Sequence, residues 1–254
     1  MQKDTEIIPP PLPDLDLCPI ADGEFIMGDD SSKYDDEKPA HAVHVAGFYM
    51  GKFQVTQRLW QEVMGSNPAK FKGERRPVET VSWKDAQDFL SKLNARADVQ
   101  AFIRQLDPSG IKFRLPTEAE WEFAARGGIY SQGYTYAGSD RLKQVGWHDK
   151  NSDDKAHEIG QLLANELGLH DMSGNVYEWC QDWFSDSYYE ECHKRGGVEN
   201  PQGPDRGTSR VLRGGSWIAH PVYCRSVLRN RLDPGRRSGR IGCRLVLPFQ
   251  AVGS

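Results

Sequence analysis

The sequence predicts an irregular α+β fold in which loops cover much of the surface. The strong helix signals all lie before Gly128, whereas the chain beyond it carries glycine turns and short apolar runs. The stretch from Arg210 to Val246 adds a third observation. Two strand patterns there enclose residues 218–240, a basic segment with neither helical nor strand period, which we call the basic insert. A patterned frame around an unpatterned insert is typical of a rigid support that displays a surface.

The composition is that of an ordinary globular protein. A chain of 254 residues can bury a full core, and 38% hydrophobic with 27% charged residues is typical of one large domain. The net charge of −4 argues against general attraction to nucleic acid. No apolar run approaches the roughly 20 residues of a membrane span. No apolar leader follows Met1, so we expect either a cytoplasmic protein or an exported or cell-surface protein whose leader has been removed.

The N-terminal part is predicted to be a tail followed by one domain. Residues 1–17 are rich in proline, which favours an extended segment, and the folded domain is expected over residues 18–250. A short strand is predicted over Gly23–Gly28. The acidic stretch 29–38 lacks the spacing of a calcium-binding EF-hand, so we expect a solvated loop there.

Strand patterns flank a region of helices. The first two strands after the acidic loop are predicted over Ala42–Val45 and Phe48–Val55. Near the C-terminus, Val211 and Leu212 precede a tight turn at 214–215, and Ile241–Val246 forms a second apolar run.

Capping signals place three helices between these strands. Ser82 with Asp85, and Thr117 with Glu120, have the spacing of capping boxes. The helices are expected over Gln57–Met64 between Thr56 and Gly65, from the first box to about Ala97, and over the segment EAEWEFAAR that Gly127 and Gly128 end.

The five cysteines predict free thiols rather than a disulfide framework. Their number is odd and no CxxC pair occurs, which also argues against a zinc ribbon. A Cys180–Cys192 pair stays open as the alternative. Free, mostly buried thiols are the preferred interpretation.

Five segments, in order, resemble one known family. They are Gly23–Gly28, Phe48–Thr56, Phe113–Arg126, Gly168–Trp179 and the pattern RVLRGGSW…CRS…R…IGCRLV over 210–246. Together they resemble the formylglycine-generating enzyme family, or sulfatase-modifying-factor domain, over about residues 18–248. The resemblance implies a C-type-lectin-like α+β fold of the formylglycine-generating-enzyme type, with little regular secondary structure.

The resemblance implies a copper site that this sequence does not complete. The enzymes of the family hold copper(I) with two cysteines five residues apart, and these positions fall on Cys224 and Arg229. A guanidinium has no lone pair for a metal. Cys243 occupies the usual aromatic position of the closing motif, and His41 with His44 suggests no third ligand for an iron site. We therefore expect no copper and no catalysis, with an oxidoreductase of altered active site as the alternative.

The resemblance also implies a structural calcium in the segment GLHDMSGNVYEW. The ligands would be the carboxylates of Asp171 and Glu178 and the backbone oxygens of Gly174 and Val176, which are hard donors suited to Ca²⁺. The alternative is that the two carboxylates only hold the loop by hydrogen bonds.

The frame over residues 211–246 also resembles the variable proteins of diversity-generating retroelements, in which mutagenesis directed at adenines rewrites Asn codons. Such codons cannot yield Trp, Met, Gln, Lys or Glu, and none of these five occurs from Ile218 to Arg240. The resemblance implies a non-catalytic binding protein with a hypervariable surface. Its predicted variable positions are Ile218, Ala219, His220, Val222, Tyr223, Leu228, Asn230, Arg231, Leu232, Gly235, Arg237, Ser238, Gly239 and Arg240.

A few of these positions are expected to anchor a protein or other macromolecular ligand of unknown identity. Aromatic and arginine side chains dominate such contacts, and the expected anchors are His220, Tyr223, Leu228, Leu232 and Arg237.

The other arginines of the stretch have a structural interpretation. Arg225, Arg229 and Arg244 are expected to pair with acids inside the fold, whereas both roles stay open for Arg231, Arg237 and Arg240. An accessory domain in structure or signalling remains a third class of function.

Overall fold

The first and the last strand of the described residues lie in the same small sheet. The computed structural model describes residues 10–249. In it, β1 (Leu17–Ile20) and the later strands β4 (Phe48–Gly51) and β10 (Val246–Pro248) form an antiparallel sheet in the order β1-β4-β10. β4 is shorter than predicted, because the backbone after Gly51 leaves the sheet and bonds instead to the carbonyls of residues 16 and 243.

Two further sheets carry the remaining strands. β2 (Gly23–Met27), β3 (His41–Val45) and β6 (Val198–Glu199) form the second sheet. The third sheet carries the C-terminal frame in the order β8-β7-β5-β9. Its strands are β5 (Tyr177–Trp183), β7 (Arg210–Arg213), β8 (Asn230–Leu232) and β9 (Ile241–Gly242).

The three helices predicted from their caps are present. Thr56 caps α1 (Gln57–Met64), and complete capping boxes open α2 (Trp83–Ala95) and α4 (Glu118–Ala125). Between them lies α3 (Ala97–Leu106), a helix beyond the three predicted from their caps. No side chain caps its N-terminus, although Val99, Phe102 and Ile103 are buried at helical spacing. The remaining helices are the short α5 (Leu142–Val145) and α6 (Tyr188–Lys194).

Three predicted boundaries differ from the structure. Leu12 and Leu15 are buried in the main core, so the folded domain includes residues that were assigned to the tail; residues 1–9 of that tail lie outside the described residues. The apolar run Ile241–Val246 is split between β9 and β10. The basic insert is not wholly irregular, because β8 lies within it and pairs with β7.

All five cysteines are free, as predicted, and four of them are buried. In the part of the chain that the structure describes, no helix has the length and apolar character to cross a membrane.

Candidate functional site

A buried ion pair anchors the basic insert to helix α4. Arg229 Nε lies 2.7 Å from Glu118 Oε1, and Arg229 Nη2 lies 2.9 Å from Glu118 Oε2. The guanidinium also lies over the rings of Phe184 and Tyr189, at 4.5 and 4.0 Å from their centroids. The internal pairing predicted for this arginine is therefore confirmed.

Arg213, at the end of β7, extends the same network. It is fully buried, pairs with Glu118 and Glu122 of α4, and donates to the carbonyls of Ser226 and Val227 at 2.8 and 3.1 Å. One side chain thus joins a strand, a helix and the insert, which fixes the path of the backbone between Cys224 and β8.

The acidic loop also supplies a partner to the frame. Glu37 is fully buried and receives two hydrogen bonds from Arg225, at 2.7 and 3.0 Å. The prediction of a solvated loop is wrong at this residue, because the charge of Arg225 compensates the buried carboxylate. The internal pairing predicted for Arg225 is confirmed.

Cys224 lies beneath the glycine turn that follows β7. The turn residues Gly214 and Gly215 have φ of 91° and 79°, and a Cβ on Gly215 would lie 2.6 Å from Cys224 Sγ. The thiol packs with Leu142 and Ala219, and burial raises its pKa to about 12. Neither observation favours a reactive thiolate at neutral pH.

Trp217, which directly precedes the basic insert, bonds to the far end of the insert and to the loop before β5. Its Nε1 donates to the carbonyl of Gly239 at 2.8 Å, and its backbone nitrogen donates to Asn175 O at 2.7 Å. The two ends of the insert are therefore tied to each other and to the loop before β5.

An open pocket of about 430 Å³ lies between these fixed points. Six of the predicted variable residues line it, and they come from both ends of the insert. They are Ile218, Ala219, His220, Tyr223, Asn230 and Arg240.

Three residues outside the predicted set complete the lining of the pocket. They are Asp149, Tyr177 and Ser216. Tyr177 and Ser216 belong to the motifs that carry the family resemblance, so their proximity to the insert had a signal in the sequence. Nothing in the sequence marks Asp149, which a distant loop brings to the pocket.

The other predicted variable residues lie elsewhere. Leu228 is only 4% exposed, so its prediction as a ligand anchor is wrong: the side chain packs inside the protein. Arg231 and Arg237 are exposed and pair with Asp186 and Asp85 at 3.0 and 2.6 Å. The pocket is not lined by the remaining members, Val222, Leu232, Gly235, Ser238 and Gly239.

The loop predicted to bind calcium gathers its oxygens in the interior. Glu178 is fully buried and accepts from Arg244 Nη2 at 2.9 Å, from Trp121 Nε1 at 2.8 Å and from Gln54 Nε2 at 3.0 Å. Gln54 Nε2 also lies 2.9 Å from Val176 O. The internal pairing predicted for Arg244 is confirmed, and the hydrogen-bonding alternative accounts for Glu178.

Asp171 is less completely satisfied. Its Oδ2 accepts from Gly160 N at 2.8 Å, but its Oδ1 is buried without a hydrogen-bond partner, as is Gln54 Oε1. Burial raises the pKa of Asp171 to about 6. Gly174 has a φ of 96°, and a Cβ there would lie 2.2 Å from Trp147 O. Unpartnered buried oxygens of this kind are hard donors that suit a cation such as Ca²⁺.

Comparison with known proteins gives consistent matches over almost the whole chain. The family of sulfatase-modifying factor enzyme 1-like domains matches residues 12–248. The formylglycine-generating enzyme of Streptomyces coelicolor is 36% identical, over 87% of this chain and 86% of that enzyme. The chaperone protein LppX of Paenibacillus barcinonensis is 35% identical, over 80% of this chain and 79% of its own length. The structure of Treponema denticola variable protein 1 superposes with a TM-score of 0.78 at 33% identity, covering 91% of this chain and 94% of the other.

Proposed function

Because this chain belongs to the family of sulfatase-modifying factor enzyme 1-like domains, we propose that it is a non-catalytic member that binds a macromolecular ligand through a surface diversified by a retroelement. Its α+β, C-type-lectin-like fold is the one that the family resemblance implies. The similarity to Treponema denticola variable protein 1 at 33% identity supports the same assignment.

The proposal rests on one observation: the predicted variable residues that line the pocket are different from the arginines of the same stretch that hold the fold together. Six predicted variable residues line one pocket, while Arg213, Arg225 and Arg229 of the same stretch form buried or half-buried ion pairs with glutamates. Exposed side chains at the pocket, such as Ile218 and Tyr223, can change without loss of the core, whereas a buried charge that loses its partner costs the fold several kcal/mol. This arrangement suits a surface that varies on a constant support.

The second copper position lacks the ligand that catalysis of the family's kind needs. Arg229 is fixed on Glu118 and offers no ligand atom, and the Cys224 thiol is buried under a turn. Copper(I) chemistry of the family's kind needs a pair of thiolates.

The test is to sequence the codons for residues 211–246 in many cells of the source population and to search nearby for an Asn-rich near-copy. We expect substitutions confined to the pocket positions, at bases where the near-copy has adenine. The codons of Arg213, Arg225, Arg229 and Arg244 should stay constant. Uniform codons across the population, with no near-copy, contradict the proposal.

The second candidate is an enzyme of the same family with altered chemistry. It is favoured by the 36% identity to a formylglycine-generating enzyme and by the presence of Cys224 at the first of the two copper positions that the resemblance implies. Copper(I) uptake that depends on Cys224 separates this candidate from the first.

We also propose a structural calcium ion in the loop before β5. The ligands that the resemblance implies are the Asp171 and Glu178 carboxylates with the Gly174 and Val176 backbone oxygens. The supporting observation is Asp171 Oδ1, which is buried without a partner; Glu178 and Val176 O already accept hydrogen bonds from Arg244, Trp121 and Gln54 and would share those oxygens with the ion. Bound there, the ion would neutralise buried carboxylate charge and fix the loop that supports Tyr177 and the pocket.

A further inference from the structure

We propose that the pocket takes a carboxylate group adjacent to an apolar group, with Arg240 as the residue that recognises the carboxylate. This inference rests on the proposed function, because it assigns a ligand chemistry to the same pocket.

Arg240 differs from most arginines of the C-terminal stretch in having no acidic partner among the residues that the structure describes. Its only side-chain bond there is a long one from Nε to Ser238 Oγ, at 3.4 Å. Arg231 and Arg237 are also exposed to solvent, but each forms an ion pair with an aspartate.

The backbone of Arg240 is nevertheless fixed. Tyr177 N donates to Arg240 O at 2.8 Å, and β9 begins at the next residue, Ile241. The side chain of Arg240 therefore extends from a fixed backbone at the pocket, and its guanidinium has no acidic partner among the described residues. A guanidinium with free N–H groups can bind a carboxylate by two parallel hydrogen bonds.

The acid in the pocket lining does not compensate this charge. Asp149 Oδ1 lies 3.1 Å from His148 Nδ1, and its Oδ2 lies 3.5 Å from Lys150 Nζ. Asp149 therefore contacts its chain neighbours and forms no ion pair with Arg240 among the described residues, which leaves the charge of Arg240 without a direct partner. An anionic group of the ligand is the complement to that charge.

Two large apolar side chains also line the pocket, among polar neighbours such as His220, Asn230 and Ser216. Ile218 and Tyr223 are 43% and 42% exposed and line the pocket, whereas most large apolar side chains of the described residues are buried. Large apolar groups presented beside a charged hydrogen-bonding residue are typical of pockets that bury an apolar ligand group and orient it by a few polar contacts. With a volume of about 430 Å³, the pocket can take a short peptide segment or a small organic acid.

Two sources of this chemistry can be separated by experiment. The first arm is a solid-phase array of Gly-Ser peptides that carry every pair of adjacent residues at their centre, probed with the full-length protein. The second arm is a titration of ¹⁵N-labelled protein with N-acetylphenylalanine and, separately, with its uncharged amide. Each arm is repeated with Arg240→Gln and with Arg236→Gln. Arg236 is the matched control because it is exposed, lacks an acidic partner among the described residues and does not line the pocket.

We expect retention of peptides that pair Asp or Glu with an apolar residue, or preferential binding of the acid over its amide by about tenfold or more. Arg240→Gln should remove that preference, and Arg236→Gln should keep it. A response in the array alone identifies a peptide ligand, and a response to the free acid alone identifies a small molecule.

The inference is overturned by equal binding of acid and amide, by equal loss in the two variants, or by no response in either arm. These outcomes leave the proposed function to its own test, since codon variability does not depend on the charge of the ligand. Constant codons with an Arg240-dependent preference for acids would instead overturn the retroelement proposal and leave the pocket chemistry standing.

Discussion

Arg229 and Glu118 form a two-bond ion pair in the protein interior, with contacts of 2.7 and 2.9 Å. The arginine stands five residues after Cys224, where the resemblance would place a second cysteine. Its side chain joins the basic insert to α4, so this position supports the fold, and a guanidinium offers no lone pair to a metal.

Arg229→Ala should lower the free energy of unfolding by about 3–5 kcal/mol, because it leaves Glu118 as a buried carboxylate that only Arg213 can compensate. Urea denaturation measures the change. The matched control is Arg231→Ala, whose ion pair with Asp186 is solvent-exposed and should contribute less than about 1 kcal/mol. Equal losses in the two variants contradict the structural role of Arg229.

Leu228→Ala should destabilise the protein by about 2–5 kcal/mol, since it leaves a cavity where a buried side chain packed. Ile218→Ala should change stability by less than about 0.5 kcal/mol, because that side chain is exposed at the pocket. Thermal denaturation of both variants distinguishes a side chain that is buried in the fold from one that is exposed at the pocket. If Leu228→Ala is as stable as the unmodified protein, Leu228 does not pack in the interior and is again a candidate ligand anchor.

The stability of the protein should fall as the pH rises towards 8. Burial, together with the charge of Glu118, raises the pKa of Asp182 from 3.8 to about 8. Between these values Asp182 is protonated in the folded protein and ionised in the unfolded chain. Folding therefore takes up a proton, and the free energy of unfolding decreases by up to about 1.4 kcal/mol per pH unit.

Urea denaturation between pH 7 and 8 tests this slope, in a range above the ordinary titration of histidine. Asp182→Asn keeps an acceptor for Glu118 N and should flatten the dependence, whereas Asp186→Asn, whose side chain is 78% exposed, should not. An unchanged slope in Asp182→Asn means that this carboxyl is ionised in the folded state.

Calcium should raise the thermal midpoint of the purified protein, and a chelator should lower it, if the ion binds only the folded state. Asp171→Asn should abolish the response, because it removes one of the two carboxylates proposed as ligands. Asp186→Asn serves as the control for a general effect of charge. Identical melting curves with calcium and with chelator would leave hydrogen bonds as the sole role of Asp171 and Glu178.

Copper(I) uptake by the reduced protein should be the same for the unmodified chain and for Cys224→Ala. The buried thiol has no second thiolate at the family spacing, and its pKa of about 12 disfavours the thiolate. Titration with a chromogenic copper(I) competitor measures the uptake. Stoichiometric binding that is lost in Cys224→Ala would establish the enzyme as the better description.

Local signals predicted much of the fold and part of the site. The capping boxes at Ser82 and Thr117 fixed the starts of two helices, because their hydrogen bonds lie within four residues of sequence. Helix α3 was missed because it has no such box and depends on burial of Val99 and Phe102. Six of the residues that line the pocket belong to the predicted variable positions, whereas no feature of the sequence predicted that Asp149 would line it.

The sequence by itself determined the α+β class, the family, the free thiols and the internal pairing of Arg225, Arg229 and Arg244. Those conclusions follow from short motifs and from the cost of burying an unpaired charge. Only the tertiary structure decided which acids serve as partners, that Leu228 is buried, and that Arg240 is the pocket arginine with no acidic partner among the described residues. Such facts depend on which distant segments meet in space, and no local pattern in the chain encodes the distance between Arg225 and Glu37 or between Arg240 and Asp149.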